Sequence, residues 1–236
     1  MEPNLAPLWN VALNAVSLKP GMSLLDAGCG TGGASVLAAS RGAIVSGIDA
    51  STNSVAVAGE RLHGCDFRTG DLQSIPFEDA SFDAAVAINS VQFTADPVKA
   101  LRELRRVVRP GGRIAVVVWA SPELSDQKSL IDAVIALFPE SPKGQGAMAL
   151  AREGEIEMAA GAAGLSLLHE QEIGLVMQFE DIGSALRGQM STGPTVRAAS
   201  VLGDAPVRRA IEGALLRFQR DDGTVHLSNR FRCVTF

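Results

Sequence analysis

At 236 residues the chain is long enough for one domain with a lid, and it can bury a sizeable core. Apolar residues make up 47% and charged residues 20%, which excludes a disordered tail, and the net charge of −5 offers no global positive field to a nucleic acid. The longest apolar runs, such as Ile114 to Ala120, cannot span a bilayer and no charged-then-apolar leader opens the chain, so a cytoplasmic protein without a membrane partner is expected.

The first half alternates short apolar runs with helical patterns. Ser23 to Leu25 predicts a buried strand, followed by a glycine-rich turn and a helix from about Ala34 to Ala39. Ala43 to Ile48 is a second strand, followed by a helix from about Thr52 to Leu62. Cys65 to Thr69 is a weaker third strand and Phe82 to Ile88 a fourth. Asp96 caps the next helix, Pro97 takes its first position, and Val98, Leu101, Leu104 and Val108 line its inner face. Pro110-Gly111-Gly112 stops that helix, and Arg113 to Trp119 forms a fifth, almost wholly apolar strand. Continuous apolar strands separated by helices indicate a parallel sheet covered on both faces.

Beyond the fifth strand Pro122, Pro139, Pro142, Gly144 and Gly146 break the chain into short helical pieces. A helix around Arg152 to Ala163 ends at Gly164, and a strand follows from about Ser166 to Gln178. Helical pattern resumes near Asp181 and is interrupted by Ser191-Thr192-Gly193-Pro194. Asp204 caps a longer helix reaching Arg220, with Val207, Ile211, Leu215 and Phe218 at helical spacing. After Asp222-Gly223, the residues Val225, Leu227, Asn229, Phe231 and Cys233 alternate with His226, Ser228, Arg230 and Arg232, the pattern of a strand with one drier face and an antiparallel partner. No repeat or linker divides the chain, so residues 1–236 read as a single domain. Its core is about 20–120 and 221–236, and about 121–220 form a variable lid or substrate region whose broken pattern predicts greater mobility.

The segment Leu24-Leu25-Asp26-Ala27-Gly28-Cys29-Gly30-Thr31-Gly32-Gly33 runs from a strand through glycines into a helix. That layout brings backbone close to a ligand and presents amide groups to it. Gly28, Gly30 and Gly33 also have the spacing of a dinucleotide fingerprint, with Asp49 following 21 residues after Gly28. Charge separates the candidate ligands. A pyrophosphate is a dianion, for which Asp26 is a poor neighbour, whereas S-adenosylmethionine carries a sulfonium and an ammonium against one carboxylate. Asp49, in Gly47-Ile48-Asp49-Ala50-Ser51, is placed to accept from both ribose hydroxyls. Asp71, in Gly70-Asp71-Leu72, can accept from an adenine amino group while Leu72 packs on the ring. Any one of these acids could simply cap the following helix. Three at the ends of neighbouring strands point to the crevice where such sheets bind ligands.

From Leu24 to Trp119 the chain resembles the class I S-adenosylmethionine-dependent methyltransferases, and within them the ubiquinone/menaquinone-biosynthesis branch. The resemblance rests on the glycine motif, Gly47-Ile48-Asp49, Gly70-Asp71-Leu72 with Ile75-Pro76-Phe77, Phe82-Asp83-Ala84, and the helix leading into Arg109-Pro110-Gly111-Gly112. It implies an α/β, Rossmann-like fold: a seven-stranded, mostly parallel sheet with helices on both faces, helical lid insertions, and a last strand, Val225 to Phe236, inserted antiparallel. It implies direct methyl transfer from S-adenosylmethionine to a small organic molecule, with S-adenosylhomocysteine as product. By the same resemblance Asp26, Ala27, Gly28, Cys29, Gly30, Thr31 and Gly32 hold the methionyl end, Asp49 and Ala50 the ribose, and Asp71 and Leu72 the adenine. Asn89 lies beside the departing methyl group. Two alternatives stay open, a nicotinamide-dependent oxidoreductase and a cyclase-like enzyme or sensor that binds the cofactor without methyl transfer.

Other residues are less specific. In Asn89-Ser90-Val91-Gln92-Phe93, Asn89 or Gln92 either orients a methyl acceptor or holds the cofactor or the loop itself. No catalytic base is identified; His169 is a weak candidate, and His63 and His226 read as surface or strand-face residues. Arg102, Arg105, Arg106 and Arg109 form the only basic run and read as a solvated helix face. Trp9 either closes over the cofactor or belongs to the core. Leu130, Ile131, Val134, Leu137 and Phe138 suit a lipophilic acceptor or the lid's own core equally. Cys29, Cys65 and Cys233 stand far apart without metal or redox spacing, so no metal is expected.

Overall fold

The computed structural model describes residues 2–140 and 146–236; Pro142 and Gly144, expected among the chain breakers, lie outside them. Seven strands form one sheet in the order β3-β2-β1-β4-β5-β7-β6. They are β1 (Ser23–Ala27), β2 (Ile44–Asp49), β3 (Asp66–Thr69), β4 (Phe82–Ile88), β5 (Val108–Trp119), β6 (His169–Phe179) and β7 (Val225–Thr235). Strands β3, β2, β1, β4 and β5 pair parallel, and β7 inserts antiparallel between β5 and β6. The α/β class, the strand count and the antiparallel last strand all match the expectation.

The helices cover both faces. On one side α1 (Glu2–Ala15) and α2 (Gly33–Ser40) pack with α5 (Gln127–Ile135), α7 (Ile182–Met190), α8 (Gly193–Leu202) and α9 (Asp204–Leu215). On the other lie α4 (Pro97–Val107) and α6 (Glu155–Ala162), while α3 (Thr52–Arg61) packs beside β2 and β3. Successive strand residues point to opposite faces. Ala84 and Val86 of β4 accordingly join the first core and Ala85 and Ala87 the second. Leu130, Leu186, Val207, Ile211 and Leu215 share the first core with Leu24 and Val86, so the roof helices and the sheet bury one continuous apolar cluster. Val134, Leu137 and Phe138 pack against that cluster.

Local signals explain most boundaries. The Asp96 side chain accepts from the Lys99 N–H at 3.0 Å, with Pro97 in the first turn of α4, as expected. Asp181 forms a capping box with Ser184 at the start of α7. Four details differ from the sequence reading. Gly203 is the N-cap of α9 and Asp204 its first residue, paired to Arg208 at 3.2 Å; a charged acid in the first turn still favours the helix dipole without capping it. The α9 helix gives way at Leu216–Phe218 to a tighter 3-10 turn. Pro110-Gly111-Gly112 lies within β5, at a shift of register against β4 where Gly111 has φ +82°.

Charged residues account for the fourth difference. Arg232, in the wetter series of the last strand, is buried between Glu170 and Glu157, which neutralise it as α6 packs over the strand. The basic run, on α4 and at the start of β5, stays largely exposed yet also makes contacts. Arg102 donates to the Ala162 carbonyl, Arg105 lies against Gly164, Arg106 bridges Glu103, Asp79 and two carbonyls, and Arg109 pairs with Asp83. These arginines fasten α6 and the segment before β4 to α4. Among the described residues no helix is long and apolar enough to cross a membrane.

Candidate functional site

Because β3, β2 and β1 are parallel neighbours, Asp71, Asp49 and Asp26 stand at the same rim of the sheet. Asp49 is half-buried at the end of β2. Its Oδ2 accepts from the Gly30 N–H and its Oδ1 from the Ser51 N–H, each at 2.9 Å. Asp71 is exposed and accepts from the Gln73 backbone and side chain, while Leu72 is buried in the core with Ile75. Ala27 and Cys29 are buried and Ala50 is exposed. Burial together with the charges of Asp26 and Asp49 raises the Cys29 pKa, so the residue stays a thiol.

The turn after β1 is built from left-handed glycines: Gly28, Gly30 and Gly32 have φ +82°, +52° and +84°. A Cβ on Gly28 would overlap Ser90, whose hydroxyl donates to the Ala27 carbonyl at 2.6 Å. Gly28→Ala therefore combines backbone strain with overpacking, at an expected cost of about 2–5 kcal/mol. Urea unfolding checks this, and Ser90→Gly in the same chain should recover only the packing part. Trp9 lies against Gly33 at the start of α2, which places its half-buried indole beside the turn.

The amides of this turn are already spent. Gly28 and Cys29 both donate to the Ile48 carbonyl, at 2.7 and 3.0 Å, Gly30 donates to Asp49, and Gly32 to the Cys29 carbonyl. Asp26 is not at the open surface of the crevice, as the sequence reading supposed. It is 2% exposed and accepts from the Ser35 hydroxyl at 2.6 Å and from the Ser35 backbone N–H. Burial, only partly offset by those bonds and reinforced by the nearby Asp49 charge, lifts its carboxyl to about 6. Ser35 was missed from the sequence; a small polar residue in the first turn of α2 was its only signal. The N-terminus of α2, where a dinucleotide fold would seat its pyrophosphate, thus already holds a protein carboxylate.

A family profile described as a methyltransferase domain matches residues 25–116, the stretch that builds this rim. Over that stretch the chain carries a methyltransferase domain, and it resembles the class I S-adenosylmethionine-dependent methyltransferases.

Among curated relatives, the malonyl-acyl-carrier-protein O-methyltransferase of Erwinia pyrifoliae is 34% identical over 75% of this chain and 64% of its own length. The demethylmenaquinone methyltransferase of Beutenbergia cavernae is 35% identical over 56% and 55%. For the first four such relatives the match spans 33 to 64% of the relative's own length. The solved structure of the cyclase SpnF has a TM-score of 0.62 at 23% identity, covering 96% of this chain and 80% of that one, a likeness of fold.

The rim fits S-adenosylmethionine by its hydrogen-bond acceptors. A carboxylate offers about four lone-pair sites. The backbone takes two of them on Asp49 and leaves two, the number that a pair of ribose hydroxyls would use. Remaining candidates fall elsewhere. His169 begins β6 opposite Thr235, at the end of the sheet away from the rim, so it is removed from the list of bases. His63 is exposed after α3, and His226 pairs with Gln178 where the β6–β7 ribbon runs on past the rim end of β5. Asn89 caps β4 with φ +51°, donates its N–H to the Val117 carbonyl, and accepts from Gln92 at 3.2 Å.

Proposed function

We propose that this methyltransferase transfers a methyl group from S-adenosylmethionine to a small organic molecule in the cytoplasm, with residues 121–220 of a single domain roofing the acceptor. The reading rests on one observation above all: three carboxylates share the rim, and one of them holds the N-terminus of α2. Asp26 would set a negative potential under the methionyl cations, Asp49 would take the ribose hydroxyls, and Asp71 with Leu72 the adenine. S-adenosylmethionine supplies a methyl carbon activated by its sulfonium. The chain's part is alignment of an acceptor that is already nucleophilic, which supplies much of the rate without a base. Relatives named for demethylmenaquinone and for a malonyl carrier protein support a small or carrier-borne acceptor over a nucleic acid. Arg102 and Arg106 of α4 and Arg109 of β5, engaged with carbonyls and carboxylates, support the same choice.

Calorimetry tests the cofactor. S-adenosylhomocysteine should bind and NAD should not; the reverse would overturn the reading. Tight binding with no methyl transfer to any member of a broad acceptor panel would favour the cyclase-like or sensing alternative. A roof that admits an acceptor should also open. Amide exchange in the ligand-free protein is expected to be faster across 177–200 than in β1, β4 and β5, and uniformly slow exchange there would rule out a moving roof.

A further inference from the structure

Among the described residues, Gln92 carries a buried feature of the rim that has no role so far. It follows β4 in the short 3-10 turn Val91–Phe93 and is 1% exposed. Its amide nitrogen donates to the Asn89 Oδ1 at 3.2 Å, while its Oε1 is buried with no hydrogen-bond partner among the described residues. A buried amide oxygen left without a donor is costly, and structures retain one where something else completes it. The bond to Asn89 turns the amide so that the oxygen, not the nitrogen, is left over. Asn89 is itself held at the strand end by Val117.

The position of Gln92 narrows what completes it. Strand β4 lies between β1 and β5, with Ser90 packed on Gly28, so this turn borders the methionyl end of the rim. Asp49 and Asp71 lie on the other side of β1 and would use the ribose and adenine donors there. The methionyl ammonium has Asp26 as its anionic neighbour. We infer that the Gln92 carbonyl receives a hydrogen bond from the methyl acceptor, which therefore presents an O–H or N–H at its attacking atom. This rests on the methyltransferase reading and deepens it. On transfer the acceptor's lone pair forms the new bond to the methyl carbon, and the S–C bonding pair stays on sulfur. The proton passes to water, since an amide carbonyl orients a donor without taking its proton.

Phenol and anisole test this, because methylation of the hydroxyl removes the donor and leaves the ring. Each is titrated by amide-shift NMR into the whole chain, with and without saturating S-adenosylhomocysteine. Wild type should bind phenol at least tenfold more tightly than anisole. In Gln92→Leu the two should bind within twofold of each other, with S-adenosylhomocysteine affinity within twofold of wild type and no fall in melting temperature. Equal binding of the probes by wild type overturns the inference, and so does a phenol preference that survives in Gln92→Leu. A tenfold loss of S-adenosylhomocysteine in that variant would instead assign the carbonyl to the cofactor. If Gln92→Leu does not fold, the wild-type comparison and Gln92→Met decide. Failure of wild type to bind S-adenosylhomocysteine would overturn the methyltransferase reading, while the probe preference is still read on the ligand-free protein.

Discussion

Asp49→Ala is expected to weaken S-adenosylhomocysteine roughly ten- to a thousand-fold in calorimetry. Each ribose hydroxyl donating to this carboxylate should contribute about 1.5–3 kcal/mol, the range for bonds to a charged group. At about 1.4 kcal/mol per decade, losing one bond at the low end of that range gives the lower limit, and losing two of middling strength, about 4.2 kcal/mol together, gives the upper. The structure adds a second route to the same loss. The carboxylate also receives the N–H groups of Gly30 and Ser51, so Ala frees the glycine turn after β1. Asp49→Asn keeps one oxygen for one of those amides, turns a donor toward the other, and forfeits charge assistance, so its loss should fall between wild type and Ala. Binding by Asp49→Ala within twofold of wild type would show that the ribose is held elsewhere.

The pH dependence of Asp26 should run in opposite directions for stability and for binding. Its folded pKa, about 6, lies above the ordinary 3.8, so between those values the native state holds more protons than the unfolded chain. The stability this group lends is therefore fully present below pH 3.8 and is lost as pH rises to about 6. At about 1.4 kcal/mol per unit, the loss is on the order of 3 kcal/mol. The ligand-free protein should unfold at higher urea near pH 5 than near pH 7. A cationic methionyl group prefers the ionised carboxyl, so binding should pull the pKa down and release a proton. Affinity should then rise about tenfold from pH 5 to pH 7, as the ionised fraction climbs from about a tenth to about nine-tenths. Calorimetry in buffers of different ionisation enthalpy reads that proton directly. Asp26→Asn should remove both slopes. Persistence of the binding slope in Asp26→Asn would place the titrating group elsewhere.

Much of the fold was legible because the signals are local. The apolar runs Ala84 to Ile88 in β4 and Ile114 to Trp119 in β5 point to a sheet buried on both faces, and Asp96-Pro97 marks the start of α4 without help from distant residues. Likewise the alternation after Gly223 predicts one long strand whose partner runs antiparallel, and β7 pairs that way with both of its neighbours. The three acids were legible for a related reason. Strand ends in a parallel sheet share a rim, so finding the strands places the residues that follow them. The basic run is solvated as expected, since Arg102, Arg105 and Arg109 are exposed, but its contacts were not legible in one dimension. That Arg102 also meets the Ala162 carbonyl depends on a helix 60 residues away.

By itself, then, the sequence determined the strand pattern, the glycine turn and the residues at its rim, because each follows from periodicity or from the backbone freedom of a few glycines. Only the tertiary structure decided what those residues are free to do. The amides of Gly28 and Cys29 are spent on Ile48, a carbonyl of the neighbouring strand, and Asp26 is sealed beneath α2 by Ser35. Burial lifts the Asp26 carboxyl, and its place at the helix start removes the seat a pyrophosphate would need. The same holds for Gln92, whose oxygen is left over only because Asn89 takes the other end of its amide. Desolvation and the choice of hydrogen-bond partner belong to the packed chain, where a charge or an amide gains its meaning from what surrounds it.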